Sequence, residues 1–178
     1  MTGKVTLRSI SDNDHADLVK LANNKKIWKN LRDIFPHPYG DEDGHFFIKL
    51  VRKDKKNLRS VIDIDGSLAG MIGAFLQEDV NKYTAELGYW LGEPYWGKGI
   101  ITEAIRLKCD QVFKQTDVNR IFAKVFDYNI PSMKVLEKNG FIKEGIGREA
   151  VFKDGAFCDE HNYALLKSDY QSLIEKTS

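Results

Sequence analysis

The stretch Glu86-Leu87-Gly88-Tyr89-Trp90-Leu91-Gly92-Glu93-Pro94-Tyr95-Trp96-Gly97-Lys98-Gly99-Ile100-Ile101-Thr102-Glu103-Ala104 reads as strand, glycine loop and helix. Thr84 to Leu91 is rich in aromatic and β-favouring side chains, and Pro94, which has no N–H to give a ladder, closes the strand soon after Gly92. Gly97 and Gly99 bracket Lys98 and open main-chain conformations closed to other residues, so bare N–H groups can approach a ligand. Beyond them Ile101, Ala104, Ile105, Lys108, Cys109, Val112 and Phe113 recur on one helical face, with Lys108 the one charged member. A helix that starts on such a loop presents unpaired N–H groups and the positive end of its dipole. Its natural guest is a phosphate or another anion, although two glycines alone also suit an ordinary strand-to-helix turn.

Working outward, Lys4 to Ser9 alternates as a strand, and Ser11 to Asp14 supplies capping oxygens for a helix over His15 to Ala22. Two prolines in three residues make Asp33 to Gly40 an ordered loop. Asp41-Glu42-Asp43 opens a second helix through Phe46, Phe47, Leu50 and Val51, with acid at its positive end and Arg52, Lys53, Lys55 and Lys56 towards its negative end. Arg59 to Ile64 and Ser67 to Gln77 form a hairpin about Asp65-Gly66, and Glu78 to Tyr83 is a polar link. After the central unit come a strand over Arg120 to Phe126 and a helix opened by Asn129-Ile130-Pro131-Ser132 and ended by Asn139-Gly140. Strands over Phe141 to Val151 and Phe157 to Leu166 close the chain. A strand feeding a loop and helix, followed by a second strand feeding another, is an α/β layout.

The 178 residues, 1–178, are read as one domain. Lys+Arg 27 against Asp+Glu 26 leaves a net charge of +1, so no global field argues for nucleic acid or a membrane surface. Cys109 and Cys158 make neither a disulfide framework nor a zinc spacing, which predicts reduced thiols, no metal and a cytoplasmic setting. The N-terminus lacks the apolar run of a signal peptide, and no segment approaches the length of a membrane span.

Two phosphate-binding patterns compete for the central loop. Gly92-x-x-x-x-Gly97-Lys98 begins like a Walker A loop, but Gly99 stands where Ser or Thr would hold magnesium. Trp96-Gly97-Lys98-Gly99-Ile100-Ile101-Thr102 instead resembles the acyl-CoA loop of the GNAT superfamily of N-acyltransferases. Trp-Gly-Lys-Gly is a form familiar in its ribosomal-protein N-terminal acetyltransferase branch. Phe35-Pro36-His37-Pro38 resembles that branch's acceptor-side loop, and Asn129 to Ser132 through Glu137 to Phe141 resembles the second cofactor motif. Trp96 departs from the commoner Arg or Gln, and Ile101 from the final Gly or Ala. The resemblance implies a central, mixed, mostly antiparallel twisted sheet flanked by helices and splayed at its central strand, α/β or α+β by scheme. It also implies acetyl-CoA as cosubstrate, an amine acceptor as partner, and a monomer or homodimer.

By the same resemblance the backbone of Tyr89, Trp90 and Leu91 serves the pantetheine arm and thioester oxygen. Trp96, Gly97, Lys98, Gly99, Ile100, Ile101 and Thr102 serve the pyrophosphate, Asn129 the pantetheine, and Lys138 the ribose phosphate. Ser132 corresponds to a serine that protonates the leaving thiolate, since Leu136 stands where many members carry a tyrosine. Strand alternation puts Glu86 with Gly88 and Trp90, which makes it the candidate general base, with His37 and His161 as alternatives. Asp33, Asp41, Glu42 and Asp43 gather acid on the expected acceptor side and favour a cationic amine. An α-amine, with a pKa about 2.5 units below lysine's, costs roughly 3 kcal/mol less to deprotonate, so a peptide N-terminus is the expected acceptor. Small amines, polyamines and aminoglycosides stay open, and Leu136 with Ile101 keeps a non-catalytic acyl-CoA-binding protein as the alternative of another class.

Overall fold

The computed structural model describes residues 3–177, the last two by backbone only. Seven strands form one sheet in the order β1-β2-β3-β4-β5-β7-β6. They are β1 (Val5–Arg8), β2 (Leu58–Ile64), β3 (Ser67–Leu76), β4 (Thr84–Leu91), β5 (Arg120–Phe126), β6 (Ile142–Lys153) and β7 (Ala156–Leu166). Every neighbouring pair is antiparallel except β4 and β5, which a helical crossover makes parallel. The helices are α1 (His15–Ala22), α2 (Lys25–Trp28), α3 (Asp41–Lys53), α4 (Ile100–Gln115), α5 (Ile130–Lys138) and α6 (Lys167–Thr177).

The alternation of β4 divides the core between the two faces of the sheet. Ala85, Leu87 and Leu91 pack with Ile100, Ala104, Ile105, Cys109, Val112 and Phe113 of α4 and with Met133 and Leu136 of α5. On the other face Trp90 joins Val61, Leu68 and Met71 against Leu18, Ala22 and Ile27 of α1 and α2 and Ile48 and Val51 of α3. Gly70 lies opposite Leu91, where an added Cβ would stand 2.3 Å from the Trp90 carbonyl oxygen. Only glycine lets β3 come this close to the end of β4.

Two helices lie outside the expected pattern. α2 is one turn, too short to show a period, and rests on Asn24, whose side chain accepts from the Lys26 N–H at 2.8 Å. α6 begins directly after β7 with no intervening turn signal, and is held by Tyr170, buried 5.2 Å from the Phe113 ring with its hydroxyl on Asp110 at 3.1 Å. The α4 stripe begins one residue earlier than its sequence pattern, at buried Ile100, with Ile101 half-buried beside it. Among the described residues no helix is long and apolar enough to cross a membrane.

The proline-rich segment after α2 is irregular, as expected, and is tied down from afar. Lys153, at the tip of the β6–β7 hairpin, lies 3.8 Å above the Trp28 ring and bonds Asp33 at 2.5 Å. Tyr128, just past β5, donates its hydroxyl to the Lys29 carbonyl at 2.5 Å.

Candidate active site

The parallel pairing of β4 and β5 stops early. Thr84, Ala85 and Glu86 match Arg120, Ile121 and Phe122, and the register ends there. Both strands continue, β4 on β3 as far as Leu91 and β5 on β7 as far as Phe126, so the sheet opens as a V beyond Glu86. Backbone groups of β4 that point into the V have no strand to pair with, and they need a ligand, a side chain or water. One is already taken: Trp96 turns its indole N–H back onto the Leu91 carbonyl at 2.7 Å.

The glycine loop sits at the head of this V. Gly97 and Gly99 adopt φ of 73° and 75°, and Gly99 immediately precedes α4, with no side chain capping the first turn. A Cβ added at either glycine would meet nothing within 4 Å, so the loop faces open space. The first-turn N–H groups of Ile100, Ile101 and Thr102, which no side chain caps, the dipole of a four-turn helix and this clear approach fit a pyrophosphate. Lys98 folds back, its ammonium 2.8 Å from the Pro94 carbonyl, while the Thr102 carbonyl accepts from Asn139 at 3.2 Å. The competing nucleotide-loop reading fails in the backbone too. Glu93–Tyr95 is a tight 3-10 turn, and Glu93 is bound to Asn24 and Lys26 of the α2 region.

Across the V, the Tyr89 hydroxyl of β4 lies 2.8 Å from the Ser132 hydroxyl in the first turn of α5. Burial pushes the Tyr89 phenol well above its usual range, against the opposing effect of the Ser132 hydrogen bond, so it remains a proton carrier at neutral pH. Asn129 caps that turn, its side chain 3.4 Å from the Ser132 N–H, which fixes the serine on the cleft side of the helix. Leu136 is fully buried in the core. Lys138 is exposed at the far end of α5.

On the other face Glu86 is one fifth exposed and ion-paired with Arg32, whose side chain, from the irregular segment after α2, is 64% exposed. Of the acid expected to greet a cationic amine, Asp33 and Asp43 are engaged in structure, while the Asp41 side chain stays 83% exposed. Asp33 holds Lys153, and Asp43 accepts from the Gly40 N–H at 2.8 Å to start α3. His37 is exposed beside Trp28, with ring centroids 5.8 Å apart. His161 lies on β7 opposite Val125, its Nδ1 buried without a hydrogen-bond partner among the described residues. No cluster of three His, Cys, Asp or Glu among the described residues is arranged to hold a metal ion.

A strand that parts from its parallel neighbour just ahead of a left-handed glycine loop and a helix N-terminus finds its match among known proteins. Residues 4–142 fit the acetyltransferase (GNAT) domain model. The chain belongs to the GNAT acetyltransferase family. It is 40% identical over 129 residues to the probable N-acetyltransferase YjcK of Bacillus subtilis, covering 72% of this chain and 65% of that one. It is 36% identical over 102 residues to the ribosomal-protein-serine acetyltransferase of Escherichia coli, covering 57% and 56%. These alignments thus span less than two thirds of either relative. The fold is that of Mycobacterium smegmatis RimJ, solved in complex with CoA-disulfide, with a TM-score of 0.86 at 23% identity over 98% of this chain and 90% of that one.

Within this GNAT scaffold two features escaped the sequence reading. The Tyr89–Ser132 contact was open to the alternation argument applied to Glu86, since Tyr89 shares a strand face with the core residues Leu87 and Leu91. Arg32 gave no such signal. It lies 54 positions from Glu86 in a segment without a period, and only the folded loop brings the two together.

Proposed function

We propose that the protein is an acetyl-CoA-dependent N-acetyltransferase acting on a primary amine, with the α-amine of a peptide or protein N-terminus as acceptor. The observation that carries this reading is the Tyr89–Ser132 hydrogen bond across the V, at 2.8 Å. It supplies a proton donor where a thiolate would leave. Family membership supports acetyl-CoA as the donor, and the open glycine loop suits its pyrophosphate. The ribosomal-protein-serine acetyltransferase among the relatives supports a protein acceptor.

In this reading the amine nitrogen attacks the thioester carbonyl carbon, and unpaired β4 N–H groups in the V hold the oxygen as it becomes negative. The amine loses its proton, directly or through water, to Glu86. The C–S bond breaks and the thiolate takes a proton from the Ser132 hydroxyl, which draws in turn on the Tyr89 phenol. A carboxylate is a weak base, sufficient for an α-amine that is partly neutral at pH 7 to 8 and poorly matched to a lysine.

Ser132→Ala should slow turnover by up to about a hundredfold across the pH range, and Tyr89→Phe, which keeps the ring, by about tenfold. If the two hydroxyls act as one relay, the double variant is no slower than Ser132→Ala alone. CoA binding, followed by thermal shift, stays intact in all three. Rates equal to wild type in both single variants would remove the relay and leave positioning and backbone oxyanion stabilisation as the source of catalysis.

A further inference from the structure

The segment from Lys25 to Arg32 reads Lys-Lys-Ile-Trp-Lys-Asn-Leu-Arg, four cations and no acid. In the fold Lys25 pairs with Asp154, Lys26 with Glu93 and Arg32 with Glu86. Lys29 has no carboxylate partner among the described residues, and its ammonium stands 5.9 Å from the Tyr128 ring. The segment is pinned on both sides of Arg32, at the Lys29 carbonyl by Tyr128 and at Asp33 by Lys153. The Arg32 side chain is thus 64% exposed although its guanidinium is held by Glu86 and its segment is pinned on both sides.

This arrangement sets a condition on the acceptor. An ammonium group approaching Glu86 meets a carboxylate whose Oε1 is already held by the Arg32 guanidinium, so the two cations compete for one carboxylate. Arg32 cannot lose its charge, and with its segment tethered it stays near the site. Exchanging one cation for the other is favourable when the incoming molecule brings its own anion to the freed guanidinium, which binds a carboxylate bidentately.

We propose that Arg32 is a specificity residue that selects acceptors carrying a carboxylate within a few bonds of the reacting amine. The ammonium takes Glu86 and the carboxylate takes Arg32, so one ion pair is replaced by two. The carboxylate is either the acceptor's own α-carboxylate or the side chain of an acidic second residue in a peptide. The inference rests on the proposed N-acetyltransferase function and deepens it at the same site.

The test is steady-state acetylation of two matched pairs by wild type, Arg32→Gln and Arg32→Lys. One pair is a peptide starting Ser-Glu against the same peptide starting Ser-Gln; the other is free serine against serine amide, with rates expressed per unprotonated amine because the free α-carboxylate raises the pKa of the neighbouring amine. In wild type the acidic member of at least one pair should have a kcat/KM about five- to tenfold higher, and that pair identifies where the carboxylate comes from. The ratio should fall to near one in Arg32→Gln, recover in part in Arg32→Lys, and shrink with added salt. Equal ratios in wild type and Arg32→Gln, or no preference in wild type, overturn the assignment while leaving acetyl transfer intact. Absence of thiol release with every α-amine would instead overturn the proposed function itself, and this inference with it.

Discussion

Lys108 is wholly buried in the α4 stripe, where its ammonium donates to Ser60 Oγ at 2.7 Å, Gln111 Oε1 at 2.7 Å and the Leu58 carbonyl at 3.0 Å. Three donors meet three acceptors, all uncharged, so hydrogen bonding is satisfied and charge is not. Burial lowers its pKa to about 8, against about 10.4 in an unfolded chain. Between these values the unfolded state holds more protons than the folded one, so this residue makes stability rise with pH. Its neighbour Cys109 is pushed by burial up to about 12 and acts in the opposite sense above pH 8.5. Comparison with Lys108→Met separates the two. Melting temperature measured from pH 7 to 10 should show wild type gaining on the variant as pH rises, and parallel curves would mean that the ammonium is not desolvated. Helical spacing alone placed Lys108 on the buried face, and strand alternation placed Glu86 away from Leu87. What the amino-acid order does not carry is the partner of a solvent-facing charge such as Arg32, because the loop holding it is positioned by Trp28, Lys153 and Tyr128 rather than by local preference.

At the level of elements the glycine loop is the most exposed to a single change. Gly99 sits at φ 75° with open space beyond its α-carbon, so Gly99→Val keeps the residue count but strains the backbone and puts a branched side chain where phosphate would approach. CoA should raise the melting temperature of wild type and raise that of the variant much less. An equal shift in both would take the loop out of the binding site. The strand, loop and helix were legible because three independent signals follow one another between Thr84 and Phe113: β-favouring side chains, paired glycines and a helical apolar stripe. α2 and α6 were not, the first being a single turn too short to repeat a period and the second following β7 without a break. The end of β4–β5 pairing after Glu86 has no local sequence mark either, since it depends on where two distant strands part. The family resemblance implied it, and the register locates it.

Across the whole molecule the sheet is held open between two helical layers, with α4 and α5 on one face and α1 to α3 on the other, and the β6–β7 hairpin joined to the segment after α2. Tyr89, Ser132 and the glycine loop serve the face of α4 and α5. Glu86 and Arg32 face the other layer. In the proposed reaction the donor and the acceptor come to opposite faces of the sheet and meet at the V. That reaction is tested most directly by thiol release from acetyl-CoA with a lysine-containing peptide bearing a free α-amine, set against the same peptide with its N-terminus blocked. Release with the free peptide and little with the blocked one is the predicted result; equal release from both, through the lysine side chain, or none from either would contradict it.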